Sequence, residues 1–401
     1  MGEVTLSLLR ERRSVFTTSA RAPQLTFPAQ PNRRTMQKML NTKNRAPSSV
    51  DLYRFMICCR LCILLVGMVA AASSANAKTK DQPDQTLQIF FIDVEGGQAS
   101  LFVTPAGQSM LIDTGWPGFD GRDAKRIVAA ARSAGLKKID YVVITHYHTD
   151  HVGGVAELAK RFKIGAFVDH GPNQEDSDVT RKDFATYQKI VEHAKRMVVK
   201  PGDKVPVEGM QVQVLTAAGE HISQPLDGGG QPNEFCAAEP KPEDDPTENS
   251  RSVGVLVKFG IFRLLDLGDL TKKKEIALMC PNNPIGKIDL LVVSHHGSNQ
   301  SSTPALVHAL HPRVAIIDNG ARKGGSPAAW ETVRDSPGLE DLWQLHTSVE
   351  GGKEHNVADD YIANTGEGDQ DKGYSIRVVA GWDGVFSVVN TRNNFEKTYR
   401  K

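Results

Sequence analysis

Four side chains able to bind a metal ion crowd into six residues of this sequence: His146, His148, Asp150 and His151, in the run Thr145-His146-Tyr147-His148-Thr149-Asp150-His151-Val152-Gly153-Gly154. Imidazole and carboxylate at this density are a donor set for Zn²⁺ or a similar divalent ion such as Mn²⁺. In a turn, His146 and His148 can point to one side while Asp150 and His151 reach a second centre. The Gly153-Gly154 pair lets the chain that follows start close to the ions. A further imidazole pair stands in Ser294-His295-His296-Gly297-Ser298.

Such residues need rigid elements behind them. Tyr141–Thr145 (YVVIT) reads as a buried strand that ends at the cluster, and Ile288–Ser294 (IDLLVVS) as another that ends at the histidine pair. Upstream, Leu87–Val94, Ala99–Thr104 and Ser109–Asp113 read as successive strands with Gly-rich turns. Asp123–Ala134 has helical spacing, with Ile127, Ala130 and Ala131 on one face. Gly154–Arg161 and Phe184–Arg196 read as helices on either side of a strand at Ala166–Asp169. A hairpin at 205–216, a second about Gly260, a helix at Lys272–Met279, helices at Pro304–Leu310 and Pro327–Arg334, a strand at Val314–Asp318 and a hairpin about Asp383-Gly384 complete the reading. Residues 222–250 are rich in proline, glycine and acid and have no period, which predicts a long functional or disordered loop. Strands passing into strand–helix alternation, twice over, predict an α/β protein with helices on the outer faces of its sheets.

Composition narrows the class. Apolar residues make up 40% of 401 and charged residues 24%, as in an ordinary globular protein, which excludes collagen-like, wholly disordered and polytopic membrane chains. Residues 1–77 hold 11 of the 48 Lys and Arg and 3 of the 47 Asp and Glu. The rest is therefore mildly acidic, which leaves extended nucleic acid unsupported as a partner. From Leu61 the longest apolar run is about 12 residues, short of the ~20 that a spanning helix needs. A basic start, this run and Ala75-Asn76-Ala77 predict a secretory signal peptide at about 56–77, cleavage near Ala77 and export to the periplasm or medium, with no stable membrane span afterwards. An uncleaved anchor is the alternative. The expected domain is 78–401. Its two cysteines, Cys236 and Cys280, are either free or paired, and spacing does not decide between them.

The His-x-His-x-Asp-His run resembles the motif of the metallo-β-lactamase superfamily, and the resemblance extends from about Gln88 to Asn390. It implies an αββα sandwich, two β-sheets packed together with helices outside, and two divalent ions. Carried over position by position, Asp113 in Asp113-Thr114-Gly115 orients a ligand, Asp269 in Leu267-Gly268-Asp269 bridges the ions, and His296 is the last ligand. His295 then faces substrate or supports a ligand. Ser294-His295-His296-Gly297-Ser298 is similar to the metallo-hydrolase domain of ComEC-type DNA-uptake proteins, as are Phe91 to Ala99, Glu248 to Val253 and Asn319 to Pro327. Where that subgroup has a histidine in the last stretch, this chain has Gly or Ser. A third histidine usual in the superfamily is replaced by Glu248-Asn249-Ser250, which leaves Asn249, His170 or, more weakly, His221 to complete the first ion position, or else substrate or water.

The implied chemistry is hydrolysis by attack of a metal-bound hydroxide, with Asp150 assisting proton transfer. His295, Arg322 and Lys323 are candidates for holding an anionic group. The His-His-Gly-Ser run favours a phosphodiester or phosphate ester; a lactone or β-lactam type acyl group is the second possibility, and a non-catalytic metal-binding protein the third. His193, His308, His311, His346 and His355 show no ligand spacing.

Overall fold

The apolar runs of the sequence pair into two β-sheets. In the computed structural model, which describes residues 85–238, 242–366 and 372–401, the first sheet has nine strands. Their spatial order is Glu396–Tyr399, Phe386–Asn390, Ile376–Gly381, Thr86–Phe91, Ser100–Val103, Ser109–Ile112, Lys138–Val143, Lys163–Asp169 and Lys195–Val198. The second runs Ile362–Asn364, Asp341–His346, Val314–Ile317, Leu290–Val292, Phe262–Asp266, Gly254–Phe259, Gln211–Ala217 and Lys204–Val205, with Glu220–His221 paired beside Gln211–Ala217. The chain divides into units 1–80 and 81–401, and every described residue belongs to the second. The signal peptide expected at 56–77, with the rest of the leader, lies outside the described residues.

Three apolar layers hold the elements in place. Between the sheets lie Ile89, Phe91, Val143, Val255, Leu264, Val292 and Trp343, each buried. The outer face of the first sheet, with Leu101, Leu111 and Val142, is covered by Ile127, Ala131, Leu158 and Tyr187 of the helices Arg122–Ser133, Val155–Arg161 and Asp178–Val191. The outer face of the second, with Leu265, Leu291 and Ala315, is covered by Leu278, Leu306, Leu310 and Trp330 of Lys272–Met279, Pro304–Leu310 and Pro327–Arg334. Each fully buried side chain of this size contributes about 1.5–3 kcal/mol of transfer free energy. The arrangement is the αββα sandwich that the resemblance implied.

Each sheet contains a parallel run: Ser109–Ile112 through Lys195–Val198 in the first, and Phe262–Asp266 through Ile362–Asn364 in the second. The carboxyl ends of such strands are where open α/β sheets place their ligands, and here the loops after them carry the histidines and aspartates singled out above.

Two expectations need correction. The helix read at Phe184–Arg196 spans Asp178–Val191, because Ser177 caps it by accepting from the Thr180 amide at 3.1 Å. The residues after it form a short parallel edge strand, Lys195–Val198, whose four residues show no alternation. The segment 222–250 is also not a structureless loop. Gln231–Pro232 pairs with Asn282–Asn283, Cys236 is disulfide-bonded to Cys280, and Glu234–Ala238 and Glu248–Arg251 form 3₁₀ turns. A segment pinned by a cross-link and local turns needs no periodic apolar face, which is why its sequence shows none. The strand Asp341–His346, which carries Trp343, lay in a stretch with no predicted element.

Candidate metal centre

Four ligand atoms, one each from Asp150, His151, Asp269 and His296, lie within 4.8 Å of one another, and all four residues are buried. His151 is at the centre: its Nε2 is 3.2 Å from Asp150 Oδ2, from Asp269 Oδ2 and from His296 Nε2. His296 Nε2 lies 3.3 Å from Asp150 Oδ2 and 3.4 Å from Asp269 Oδ1. Beside this group, His146 Nε2 faces His148 Nδ1 at 3.1 Å and Asp269 Oδ2 at 3.9 Å. Asp269 therefore stands between a four-ligand position and a three-ligand one, the place of a bridging carboxylate.

The elements explain the placement. After Lys138–Val143 the chain turns at Thr145-His146 and enters the short helix Thr149–Val152, which carries Asp150 and His151 inward. Gly97 must lack a side chain there, because a Cβ would lie 2.4 Å from the Asp150 carbonyl oxygen. Across the interface, Leu267-Gly268-Asp269 follows Phe262–Asp266, and Asp266 accepts from the Gly268 amide at 3.0 Å to fold the turn. His295 and His296 both have left-handed backbone, φ 56° and 54°. Such conformations cost of order 1–3 kcal/mol each and collect where a side chain must be aimed.

The outer nitrogens of His151 and His148 are hydrogen-bonded to carboxylates, and that of His296 lies near a third carboxylate without a hydrogen bond. Asp113 Oδ2 lies 2.7 Å from His151 Nδ1, and Asp113 also accepts from the Thr145 amide at 2.8 Å and hydroxyl at 2.6 Å. Glu175 Oε2 lies 2.8 Å from His148 Nε2. Asp318 Oδ1 lies 3.3 Å from His296 Nδ1. The fourth, His146, has its Nδ1 3.0 Å from the Thr145 hydroxyl. With the proton held on the outer nitrogen, the inner one presents a lone pair, which fixes the tautomer that metal binding requires.

The charges support a cation. Burial opposes ionisation of Asp150, yet His151 and Lys323 hold its carboxyl well below the usual range. Burial likewise opposes ionisation of Asp269, and His151, His295 and His296 outweigh it. His151 is pushed well above the ordinary imidazole value because Asp269, Asp150 and Asp113 outweigh burial. His296 is raised to about 9, the Asp269 and Asp318 carboxylates overcoming burial and the Lys323 charge. His146 is held well below by burial and by His151 and His148. Asp269 Oδ1 is buried with no hydrogen bond. Two ionised buried carboxylates, an orphaned carboxylate oxygen and converging imidazole nitrogens fit a pair of divalent ions.

The other predicted residues are placed as follows. His295 Nε2 is 3.4 Å from Asp269 Oδ2, so both histidines of the pair face the same carboxylate. His170 is not brought to the ligand cluster: its Nε2 lies 2.9 Å from Glu248 Oε2, and its ring packs on Tyr147. Asn249 is buried in the 3₁₀ turn Glu248–Arg251, with its Oδ1 lacking a hydrogen bond. Lys323 donates to Asp150 Oδ2 and, at 2.7 Å, to the Gly96 carbonyl. Arg322, next to it, is exposed. Glu175, Asp318 and Glu248 were not singled out from sequence. Asp318 had one legible signal, an acid directly after a buried strand, as Asp113 is; Glu175 and Glu248 had none.

Residues 93–231 match the Metallo-beta-lactamase superfamily. ComE operon protein 3 of Bacillus subtilis (strain 168) is 24% identical over 204 residues, which is 49% of this chain and 22% of that protein. Recombination protein 2 of Haemophilus influenzae is 27% identical over 237 residues, 59% of this chain and 24% of that protein. Hydroxyacylglutathione hydrolase of Rhodopseudomonas palustris (strain BisB5) is 32% identical over 111 residues, 27% of this chain and 37% of that protein. The chain thus spans about a quarter of the length of the first two relatives. These matches support a metallo-beta-lactamase superfamily protein related to the ComEC-type proteins, the family match itself lying in residues 93–231.

Proposed function

We propose that the chain is an exported, metal-dependent hydrolase of a phosphodiester or phosphate ester. The observation that carries the hydrolase reading is the group Asp150, His151, Asp269 and His296 within 4.8 Å, with His146 and His148 beside it. Ions bound there, with zinc the first candidate and manganese the second, supply Lewis acidity toward a water and toward substrate oxygens. The protein's own part is preparation. Asp113 and Glu175 hold the outer nitrogens of His151 and His148, so the inner ones need no reorganisation. Asp150 is the carboxylate we assign to assist proton transfer, through whichever oxygen does not ligate an ion. His295, 11% exposed, stands at the mouth beside Asp269, where it can meet a substrate oxygen.

The His-His-Gly-Ser turn favours the phosphoester. The match to a hydroxyacylglutathione hydrolase over 111 residues keeps an acyl ester as the second reading. Export rests on the signal-like leader, and the Cys236–Cys280 disulfide supports an oxidising compartment. No helix among the described residues is long and apolar enough to cross a membrane.

The test is hydrolysis of bis(p-nitrophenyl) phosphate and of a generic thioester by the full chain, each with and without chelator, beside Asp269→Ala. Phosphodiester turnover that chelation abolishes and that Asp269→Ala lowers by about 10²-fold or more is the expected result. Thioester turnover alone would transfer the reading to acyl hydrolysis. A chain that binds no divalent ion would refute both.

A further inference from the structure

One loop delivers a cation into the four-ligand position. Residues 318–326 follow the strand Val314–Ile317, and the loop meets His296 twice, at its ring and at its backbone. Asp318 Oδ1 lies 3.3 Å from His296 Nδ1, and Gly324 passes so close that a Cβ would sit 2.1 Å from the His296 carbonyl oxygen. The loop is fixed internally. The Gly320 amide donates to the Lys323 carbonyl at 2.8 Å, and Asn319 Nδ2 donates to the His346 carbonyl at 2.9 Å. Between these anchors Lys323 extends over the Trp116 ring, its Nζ 5.5 Å from the centroid, and donates to the Gly96 carbonyl and to Asp150 Oδ2.

That last contact matters because of the atom involved. Asp150 Oδ2 is the same oxygen that lies 3.2 Å from His151 Nε2 and 3.3 Å from His296 Nε2. It is the oxygen through which Asp150 would ligate an ion. An ammonium and a divalent ion cannot both claim it at full strength, and two cations on one carboxylate repel in a buried, weakly screened site. On the three-ligand side the neighbours differ: the Asp269 oxygen that faces His146 is approached by the imidazoles of His146, His151 and His295, not by an ammonium.

We propose that Lys323 is a resident cation that competes with an ion for Asp150, so that the position formed by Asp150, His151, Asp269 and His296 binds its ion more weakly than its four ligands would otherwise allow. Lys323 thereby sets how many ions the centre holds at a given free metal concentration. The inference rests on the dinuclear reading above and adds an inequality between its two positions.

The experiment is a Zn²⁺ titration of the metal-free full chain against a chromophoric chelator, with both stepwise dissociation constants fitted. Wild type, Lys323→Met and Lys323→Arg are compared, and each is repeated with Asp150→Asn. Lys323→Met should tighten one of the two steps about tenfold or more, and Lys323→Arg, which keeps the charge, should leave both steps within about twofold of wild type. The tightening should vanish in the Asp150→Asn background, because the contested oxygen is then no longer an anion. Equal constants in wild type and Lys323→Met, or a weakened step, would overturn the proposal while leaving two-ion binding intact. Tightening that persists with Asp150→Asn would overturn it also, since the effect would then be a general one of surface charge. Absence of Zn²⁺ binding in every variant would refute the dinuclear reading itself.

Discussion

An imidazole binds a metal through whichever nitrogen lacks a proton, so the groups behind the ligands decide whether the ligands work. Glu175 is the most exposed of these groups, with 16% of its side chain accessible, and it touches His148 by a single contact of 2.8 Å. Glu175→Gln keeps the shape but removes the charge that favours a protonated Nε2. Metal affinity should fall about 10–100-fold with little loss of stability, which a chelator-competition titration and a thermal melt on the same sample would check. The first ligands were legible because they crowd together: His146, His148, Asp150 and His151 fall within six residues, a density that a turn has little use for unless it holds an ion. Asp269 and His296 were legible only through resemblance, since each lies far along the chain from that cluster. Glu175 was not legible, because a carboxylate that supports a histidine 27 residues away leaves no periodic trace. His170 shows the converse. It follows a buried strand close to the cluster, yet a buried acid distant in sequence, Glu248, claims its ring.

At the scale of elements, the helix Lys272–Met279 follows the turn that carries Asp269, and it is tied to the next helix by one buried acid. Glu275 accepts from the Ser302 amide at 2.9 Å and the Thr303 amide at 2.8 Å, just before Pro304–Leu310. Burial raises its carboxyl from an ordinary 4.5 to about 7. Between those values the folded chain holds a proton that the unfolded chain has released. The stabilisation from this group is therefore fully present at low pH and is lost as pH rises through about 7, by roughly 3 kcal/mol in all. Urea unfolding between pH 5 and 8.5 should show wild type losing more stability than Glu275→Gln across that window; parallel profiles would exclude the assignment. Short helices whose first position is proline, Pro304–Leu310 and Pro327–Arg334, were legible to the residue, as was Lys272–Met279. The edge strand Lys195–Val198 was not, because its four residues, two charged and then two apolar, do not alternate.

For the whole molecule, the order of strands and helices was readable, whereas cross-links were not: nothing in the spacing of Cys236 and Cys280, 44 residues apart, distinguishes a pair from two free thiols. The bond fastens the turn Glu234–Ala238 to the end of the helix Lys272–Met279, so replacing either cysteine with serine should cost about 2–4 kcal/mol. A lowered melting temperature in Cys280→Ser, matched in wild type by a reductant, is the outcome to look for. The architecture has a further consequence. Asp113, His146, His148, Asp150 and His151 come from the first sheet's strand ends, and Asp269, His295, His296, Asp318 and Lys323 from the second's. Neither leaf owns a complete coordination set. The gap between the leaves is filled by Phe91, Val143, Leu264, Val292 and Trp343, which never approach an ion's ligands as donors. Those side chains are the spacer of a caliper whose jaws are the two groups of ligands. A methylene added or removed in the spacer changes the jaw opening, so the centre gauges the fit of the core, and selection for ion affinity is also selection on residues that carry no chemistry at all.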